Sequence, residues 1–546
     1  MARRKQNINI YDGSVYEYIK EMNKDNYDCT AIRYFKRKMS FKTFFKQIDE
    51  CASAFKSTGI REGDVVAICM ANTPEAVIAF YALNKIGAIA NMIHPLSAEA
   101  EIKESLNATH SVMLIAINVI YDKIKDIVDE SPVFKTIIVS PSDSMPKLLK
   151  TLYNIKVDKI KYKKDESIVR WNDFMNTARR YNARTVHKTM NDVAAILHSG
   201  GTTGVPKNIE LTNGNMNALG EQAHIVLPDM RTNDNFLTIM PMFHCFGLVV
   251  SVHCPLSCGT SITMVPKFDA KRFDKLITDY KPTVMAGVPT LFEAMMTNKR
   301  MEKVDMSKLK IILSGGDTLT AAKNKKVNDF LKDHGCNAKI TQGYGMTETC
   351  GPVTFGSELG SIGIPFPGNT IKIVNPYTRE EVPTNETGEI VITGPTVMKD
   401  YLNNEEETNN TIEIDAEGNK WVHTGDLGRM DKKGILYFEQ RLKRMLIVSG
   451  YNVYPSHIEE VLLRHPYIET CGVVGIPHPY KVQVPKAFLV LKSNIKLTNK
   501  VKKEIQDYCE KNLAHYMIPK EFVYRESLPK TMVGKVNYRE LEKESV

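Results

Sequence analysis

Several features that would place this chain in a special class are missing. Its ten cysteines are scattered, with no C-x-x-C pair and no regular spacing. Such usage fits reduced thiols in a cytosolic protein rather than a disulfide framework. No stretch of 18 apolar residues occurs, so no helical membrane span is expected. The start, Met-Ala-Arg-Arg-Lys-Gln-Asn, is basic, but no apolar run follows it, so it does not read as a secretory signal. There is no long Lys/Arg block to suggest nucleic acid and no short-period repeat. A cytoplasmic protein is the expectation.

What is present is a globular composition. The 546 residues are 43% hydrophobic and 25% charged, too long a chain for one core, so at least two domains are expected. A net charge of +9 is small over such a length and mildly favours polyanionic ligands such as nucleotides. One basic segment stands out, 147–164, with seven lysines among Leu, Ile and Tyr. It reads either as a solvated surface element or as a contact with an anionic membrane face.

Hydrophobic patterning gives an alternating rhythm. Strands are expected at 64–70, 88–93 and 111–117, with helices at 74–86 and 98–107 between them. The rhythm resumes with strands at 236–240, 261–265, 283–286, 310–313 and 339–341, separated by helices near 248–258, 270–280, 289–298 and 320–332. Alternation of this kind predicts a parallel α/β sheet. After about residue 355, strands at 371–374, 388–393, 420–423 and 436–439 predict a small, barrel-like β subdomain. Beyond Arg441 a mixed α+β domain follows, with helices near 455–464 and 499–511 and a boundary at 440–444.

The chemistry sits in the punctuation between these elements. At 193–207 an apolar run, read as a buried strand, leads into Ser199-Gly200-Gly201-Thr202-Thr203-Gly204-Val205-Pro206-Lys207. Glycines let backbone N–H groups turn toward an anion, while hydroxyls and an ammonium add donors. It is a phosphate cradle by composition, or else an ordinary flexible turn. It is not the P-loop, which needs Gly-Lys-Ser/Thr directly before a helix. Four further clusters share its chemistry, together with a terminal lysine loop. Gln342-Gly343-Tyr344-Gly345-Met346-Thr347-Glu348 places a hydroxyl beside a carboxylate after a strand end, which suits a phosphate oxygen and its Mg²⁺ or a helix N-cap. Ser314-Gly315-Gly316-Asp317 could let a flat ring lie against backbone. Thr424-Gly425-Asp426 offers a carboxylate to a ribose diol, or an Asx-turn. The fourth is the block 441–459, and a last lysine sits in Pro529-Lys530-Thr531-Met532-Val533-Gly534-Lys535.

In that order and at those spacings, the motifs make the chain resemble the adenylate-forming superfamily of acyl-CoA synthetases, adenylation domains and firefly luciferases, over about residues 30–540. The resemblance implies two parallel-type α/β subdomains and a β-barrel-like subdomain in a domain of residues 1–442. A small mobile α+β domain follows at 443–546. It also implies a reaction: a carboxylate attacks the α-phosphate of ATP, giving acyl-AMP and pyrophosphate, and a thiol such as coenzyme A then displaces AMP. Thr202, Thr203, Gly204 and Lys207 would hold the β- and γ-phosphates. Gly315, Gly316, Asp317, Gly343 and Tyr344 would line the adenine. Thr347 would meet the α-phosphate, Glu348 would hold Mg²⁺, and Asp426 and Arg441 would grip the ribose. Lys535 matches the catalytic lysine and His244 the pocket-gating position, though a surface lysine and a core histidine are the plain alternatives. Lys443 falls at the hinge, about which Lys535 would be exchanged for Ser449, Gly450 and Tyr451 beside the site. Asn208, Gln440 and His198-Ser199 depart from the usual family residues.

The block at 449–459 is most similar to bacterial-type fatty-acyl-CoA synthetases. Candidate acyl-pocket segments are 245–252, 285–292 and 349–355. The expectation is a medium- or long-chain fatty acid CoA ligase, with ATP, Mg²⁺ and CoA and no nucleic acid, working as a monomer or homodimer. The alternatives are an aryl-acid CoA ligase, a stand-alone enzyme that loads a carrier protein, and a catalytically silent nucleotide-binding protein.

Overall fold

A computed structural model describes residues 8–156, 167–199, 207–448, 451–478, 481–531 and 535–545. It is a mixed α/β protein with two compact units. One runs up to Thr370 and includes Ile392–Val422; the other comprises Ile371–Val391 and His423–Val546.

The first unit holds two sheets. In the seven-stranded sheet the order is Ile168–Arg170, Lys135–Val139, Met113–Ile117, Val65–Cys69, Ile89–Met92, Val193–Ser199 and Lys207–Thr212. Every neighbouring pair is parallel except the last, which is antiparallel. Central strands such as Val65–Cys69 and Met113–Ile117 are apolar throughout because helices cover both faces. Helix Pro74–Lys85 is buried on all sides, and its one internal asparagine, Asn84, is satisfied by Tyr16 N at 2.9 Å and by Asn213 at 3.0 Å.

The nine-stranded sheet runs Ile364–Pro365, Gly351–Gly356, Ile340–Met346, Ile311–Ser314, Val284–Gly287, Asn235–Thr238, Ser261–Met264, Thr30–Tyr34 and Arg37–Ser40. Its six middle strands are parallel, so their C-terminal ends share one edge. That edge is where ligands bind in such sheets.

Two elements differ from the pattern in the sequence. In place of an α-helix over 248–258 there are wide π-type turns at Phe246–His253, then α turns at Cys254–Ser257. Pro255 has no N–H to give the Ser251 carbonyl, which instead accepts from Thr238 Oγ1 at 2.9 Å. The strand expected at 420–423 runs on as Lys420–Met430, so Asp426 lies on a bulged strand opposite Arg441 rather than in a tight turn. Gly425, at φ +65°, supplies the local twist.

In the second unit, Ile468–His478 pairs antiparallel with Val482–Leu491, and Glu521–Arg525 adds on in parallel. Helices Pro455–Leu463 and Asn499–Asn512 cover this sheet, burying Ile458, Leu462, Ile505 and Cys509 among Val473, Ala487 and Leu489. Among the described residues no helix is long and apolar enough to cross a membrane.

Candidate active site

The stem of the Gly/Thr loop is braced from inside. Ser199 ends one strand and Lys207 begins its antiparallel partner directly opposite. One residue further from the loop, His198 lies opposite Asn208, its Nδ1 2.9 Å from Asn208 Oδ1 and its Nε2 2.6 Å from Asn91 Oδ1. Asn91 Nδ2 is committed to Thr109 Oγ1 at 2.9 Å and Ser111 Oγ at 3.1 Å. Both ring nitrogens thus face a side-chain amide oxygen, so the single N–H of the neutral ring donates to one or the other. The two departures from the family pattern are thus partners of each other. Thr202, Thr203 and Gly204 lie outside the described residues.

Burial pulls the His198 imidazole down to about 4, so the ring is neutral at pH 7. Its unfolded value is near 6.5, so the folded value is depressed and the neutral brace contributes fully above that pH. As pH falls from about 6.5 toward 4, the unfolded chain gains a proton that the folded chain resists. About 3 kcal/mol of stability should be lost over that window. His198→Asn should flatten this slope in urea unfolding at pH 7 and pH 4.5. An unchanged slope would refute the buried neutral imidazole.

Lys207 points to a carboxylate and a ring. Its ammonium pairs with Glu407 and lies 4.7 Å from the centre of the Tyr401 ring. The Tyr401 hydroxyl donates at 2.9 Å to Glu348 Oε1, and burial, with Glu348 beside it, pushes that phenol well up. One tyrosine therefore links the loop lysine to the acidic residue of the second motif. Glu348 is only 6% exposed. Its turn is held by Thr349 Oγ1, which accepts from Met346 N at 3.0 Å and donates to Gly351 O at 2.9 Å. Cys350 closes it in the left-handed region at φ +56°, a strain a non-glycine residue rarely adopts. Thr347 sits half-buried at the head of the turn. Burial has not been spent on hydrophobic packing here: it holds a carboxylate against the Tyr401 hydroxyl.

The proposed adenine-lining residues also converge. Gly315 N donates to Gly287 O at 3.1 Å, and a Cβ on Gly315 would come 3.6 Å from Gly343 O and 3.7 Å from the Phe246 ring. Gly316, at φ +75°, faces Val288. Tyr344 N bonds Thr354 Oγ1 at 3.2 Å. Asp317 is exposed and caps its own turn through Thr318 N at 2.8 Å. His244 is half-buried, its ring centre 6.1 Å from that of His94 and 4.7 Å from that of Phe243. The His94 ring packs tilted against Phe243, their centres 4.1 Å apart, and burial lowers the His94 pKa. The motifs do not point to Tyr401, Glu407 or His94. Only the position of His94 just past the strand Ile89–Met92 is a signal that could have found it.

Two of the candidate acyl-pocket segments, 245–252 and 349–355, approach each other at Gly351. A Cβ on Gly351 would lie 3.1 Å from Leu219, 3.5 Å from Val250 and 3.6 Å from Cys245. Gly247 approaches the Pro241 carbonyl so closely that no Cβ fits there.

In the second unit, Asp426 is buried and Arg441 Nε lies 3.4 Å from its Oδ1 across the strand pair. Lys443 is exposed on the turn Leu442–Arg444. Next to it, Arg444 turns inward to Glu459 at 2.6 Å and stacks on Tyr538 at 3.6 Å. Gln440 accepts from Ser456 Oγ at 3.3 Å. Lys535 closes a turn with Thr531, whose N–H donates to its carbonyl at 2.7 Å. Ser449 and Gly450 lie outside the described residues, and Tyr451 begins the strand Tyr451–Val453. A depression of about 470 Å³ between Gln506 and Phe522 contains none of the residues the motifs select.

Residues 19–402 match the family described as AMP-binding enzyme, and residues 457–535 match the AMP-binding enzyme C-terminal domain. The chain belongs to this family, and with it to the AMP-forming ligases that join an acid to a thiol. It is 32% identical over 529 residues to a long-chain-fatty-acid–CoA ligase of Bacillus subtilis (strain 168), covering 95% of this chain and 92% of the relative. It is 30% identical to 4-coumarate:CoA ligase 1 of Petunia hybrida, covering 90% and 86%. In fold it matches a crystal structure of the anthranilate CoA ligase AuaEII in complex with anthranoyl-AMP, at a TM-score of 0.84 and 24% identity, over 98% and 97% of the two chains.

Proposed function

We propose that this chain is an ATP-dependent ligase for medium- or long-chain fatty acids, using coenzyme A as acceptor. The observation that carries the acid class is the pocket wall. The segments 245–252, 285–292 and 349–355 hold no charged residue. They approach one another around Cys245, Phe246, Val250, Val288 and Gly351, offering an apolar tail only apolar contacts. The similarity to a fatty-acid ligase supports the same reading.

The residues take their parts as follows. A carboxylate oxygen of the acid attacks the α-phosphorus of ATP, the bond to the β,γ-pyrophosphate breaks, and acyl-AMP forms. Lys207, with Thr202, Thr203 and Gly204, holds the pyrophosphate; in its absence Glu407 and Tyr401 keep the lysine in place. Thr347 meets the α-phosphate, and Glu348 would hold Mg²⁺, which would neutralise phosphate charge. Gly315, Gly316, Asp317, Gly343 and Tyr344 cradle the base, and Asp426 and Arg441 take the ribose hydroxyls. Lys535 stabilises the charge that develops at the α-phosphate. His244 orients the carboxylate or gates the thiol. For the second step the domain beyond Lys443 turns about that residue. This brings Ser449, Gly450 and Tyr451 to the site, where a thiol sulfur attacks the acyl carbon and expels AMP.

A second reading, an aryl-acid CoA ligase, is favoured by the plant 4-coumarate relatives. Pyrophosphate release with octanoate, palmitate, benzoate and 4-coumarate, each with CoA, separates the two. We expect turnover on the fatty acids to exceed that on the aryl acids by roughly tenfold or more, since each methylene in an apolar pocket is worth about 1–3 kcal/mol. Strong turnover on benzoate or 4-coumarate and none on fatty acids would overturn the proposal.

A further inference from the structure

The helix Lys147–Lys156 is fastened to the protein along one side only. Lys150 reaches Asp143 at 3.6 Å, Tyr153 packs against the hydrophobic core, and Asn154 accepts from Ser142 Oγ at 2.8 Å. The other side carries Leu148, Leu149, Leu152 and Ile155, which are 74%, 40%, 46% and 65% exposed. At ~100° per residue these four fall within about a third of the helix circumference, so they form one apolar stripe. Scattered exposed leucines need no explanation, but four on one face of a ten-residue helix do.

Charge decides what could cover this stripe. Lysines occupy 147, 150, 156, 159, 161, 163 and 164, and Asp158 is the one acidic residue in 147–164. A second basic element stands beside the helix. Lys36 on a turn and Arg37 and Lys38 at the start of strand Arg37–Ser40 are exposed, and Arg37 Nη1 donates to the Ser144 carbonyl at 3.4 Å, three residues before the helix begins. An apolar stripe on a stretch of sequence so rich in cations suits a surface that is greasy below and anionic above. Burial of leucine and isoleucine side chains in the acyl boundary adds to attraction of each lysine by the headgroups.

We propose that helix Lys147–Lys156 docks flat on an anionic lipid bilayer, with Leu148, Leu149, Leu152 and Ile155 in the acyl boundary and Lys147, Lys36, Arg37 and Lys38 at the headgroups. This holds whichever acid the enzyme takes, since it rests on a surface remote in sequence from the five motifs.

Cosedimentation of the full chain with vesicles tests it. The protein should pellet with phosphatidylglycerol-containing vesicles, weakly with pure phosphatidylcholine, and less as salt rises. The variant Leu148→Ser/Leu152→Ser/Ile155→Ser should bind the anionic vesicles roughly tenfold or more weakly. Its circular dichroism and its acid-dependent pyrophosphate release without vesicles should match the parent protein, showing that the fold is intact. Full-strength binding by the variant, or no binding by the parent chain, would overturn the proposal. So would a variant whose only change is loss of self-association in solution, which would give the stripe to a second copy.

Discussion

Replacing Lys535 by alanine should lower acyl-AMP formation roughly 100- to 1,000-fold, the usual cost of removing one group that meets developing charge in the transition state. The loss should be confined to one half-reaction. In the proposed scheme Lys535 serves adenylation, whereas the residues from Ser449 to Tyr451 attend the thiol. The variant supplied with preformed acyl-AMP and CoA should therefore make thioester at close to the parent rate. Thr531 N–H donates to the Lys535 carbonyl and Thr531 Oγ1 accepts the Lys535 N–H at 3.2 Å, bonds of the Lys535 backbone that alanine keeps, so folding should survive. Single-turnover measurement of both steps reads this out. Equal loss in the two would contradict the assignment, and no loss in either would remove Lys535 from the chemistry.

Glu459→Ala should cost the second unit about 3–5 kcal/mol, the usual penalty for breaking a buried ion pair from one side. Glu459 is 9% exposed, and besides Arg444 it accepts from Val473 N at 2.8 Å and from the Tyr538 hydroxyl at 3.4 Å. It thereby ties helix Pro455–Leu463 to the strand Ile468–His478 and to the last helix, Tyr538–Lys543. Without it the Arg444 guanidinium stays inside with a ring beneath it and no anion opposite. Urea unfolding of the variant should show an early transition for this unit, and Glu459→Ala/Arg444→Met should recover part of the loss. A midpoint shift below about 0.5 kcal/mol would show that the pair is only a surface contact in effect.

The same pair shows how far the sequence could be read. The parallel strands were legible because strands buried on both faces must be apolar runs: Val65–Cys69 and Met113–Ile117 lie inside the ranges their composition picks out, and Val284–Gly287 overruns its range by one residue. The glycine-flanked motifs were legible too, since close backbone approach leaves its mark in residue type. The block 441–459 reads as one motif, yet it divides by environment: Arg441 and Lys443 face outward, while Arg444 and Glu459 are structural. No local pattern distinguishes an inward from an outward arginine. Tyr401 and Glu407 were illegible for a related reason. They carry no motif, and only the register that pairs Ile209 with Tyr401 brings them to Lys207. The π turns of Phe246–His253 depend on Pro255 and on Thr238 from another strand, which helical periodicity cannot register.

Attack by a carboxylate oxygen at the α-phosphorus is the central step of the proposed reaction. Palmitate labelled with ¹⁸O in its carboxyl group, incubated with ATP, Mg²⁺, CoA and the full chain, tests this directly by mass spectrometry of the nucleotide. One labelled oxygen should appear in AMP, alongside palmitoyl-CoA and unlabelled pyrophosphate. Label in inorganic phosphate, with ADP as the nucleotide product, would mean attack at the γ-phosphorus and would contradict the account.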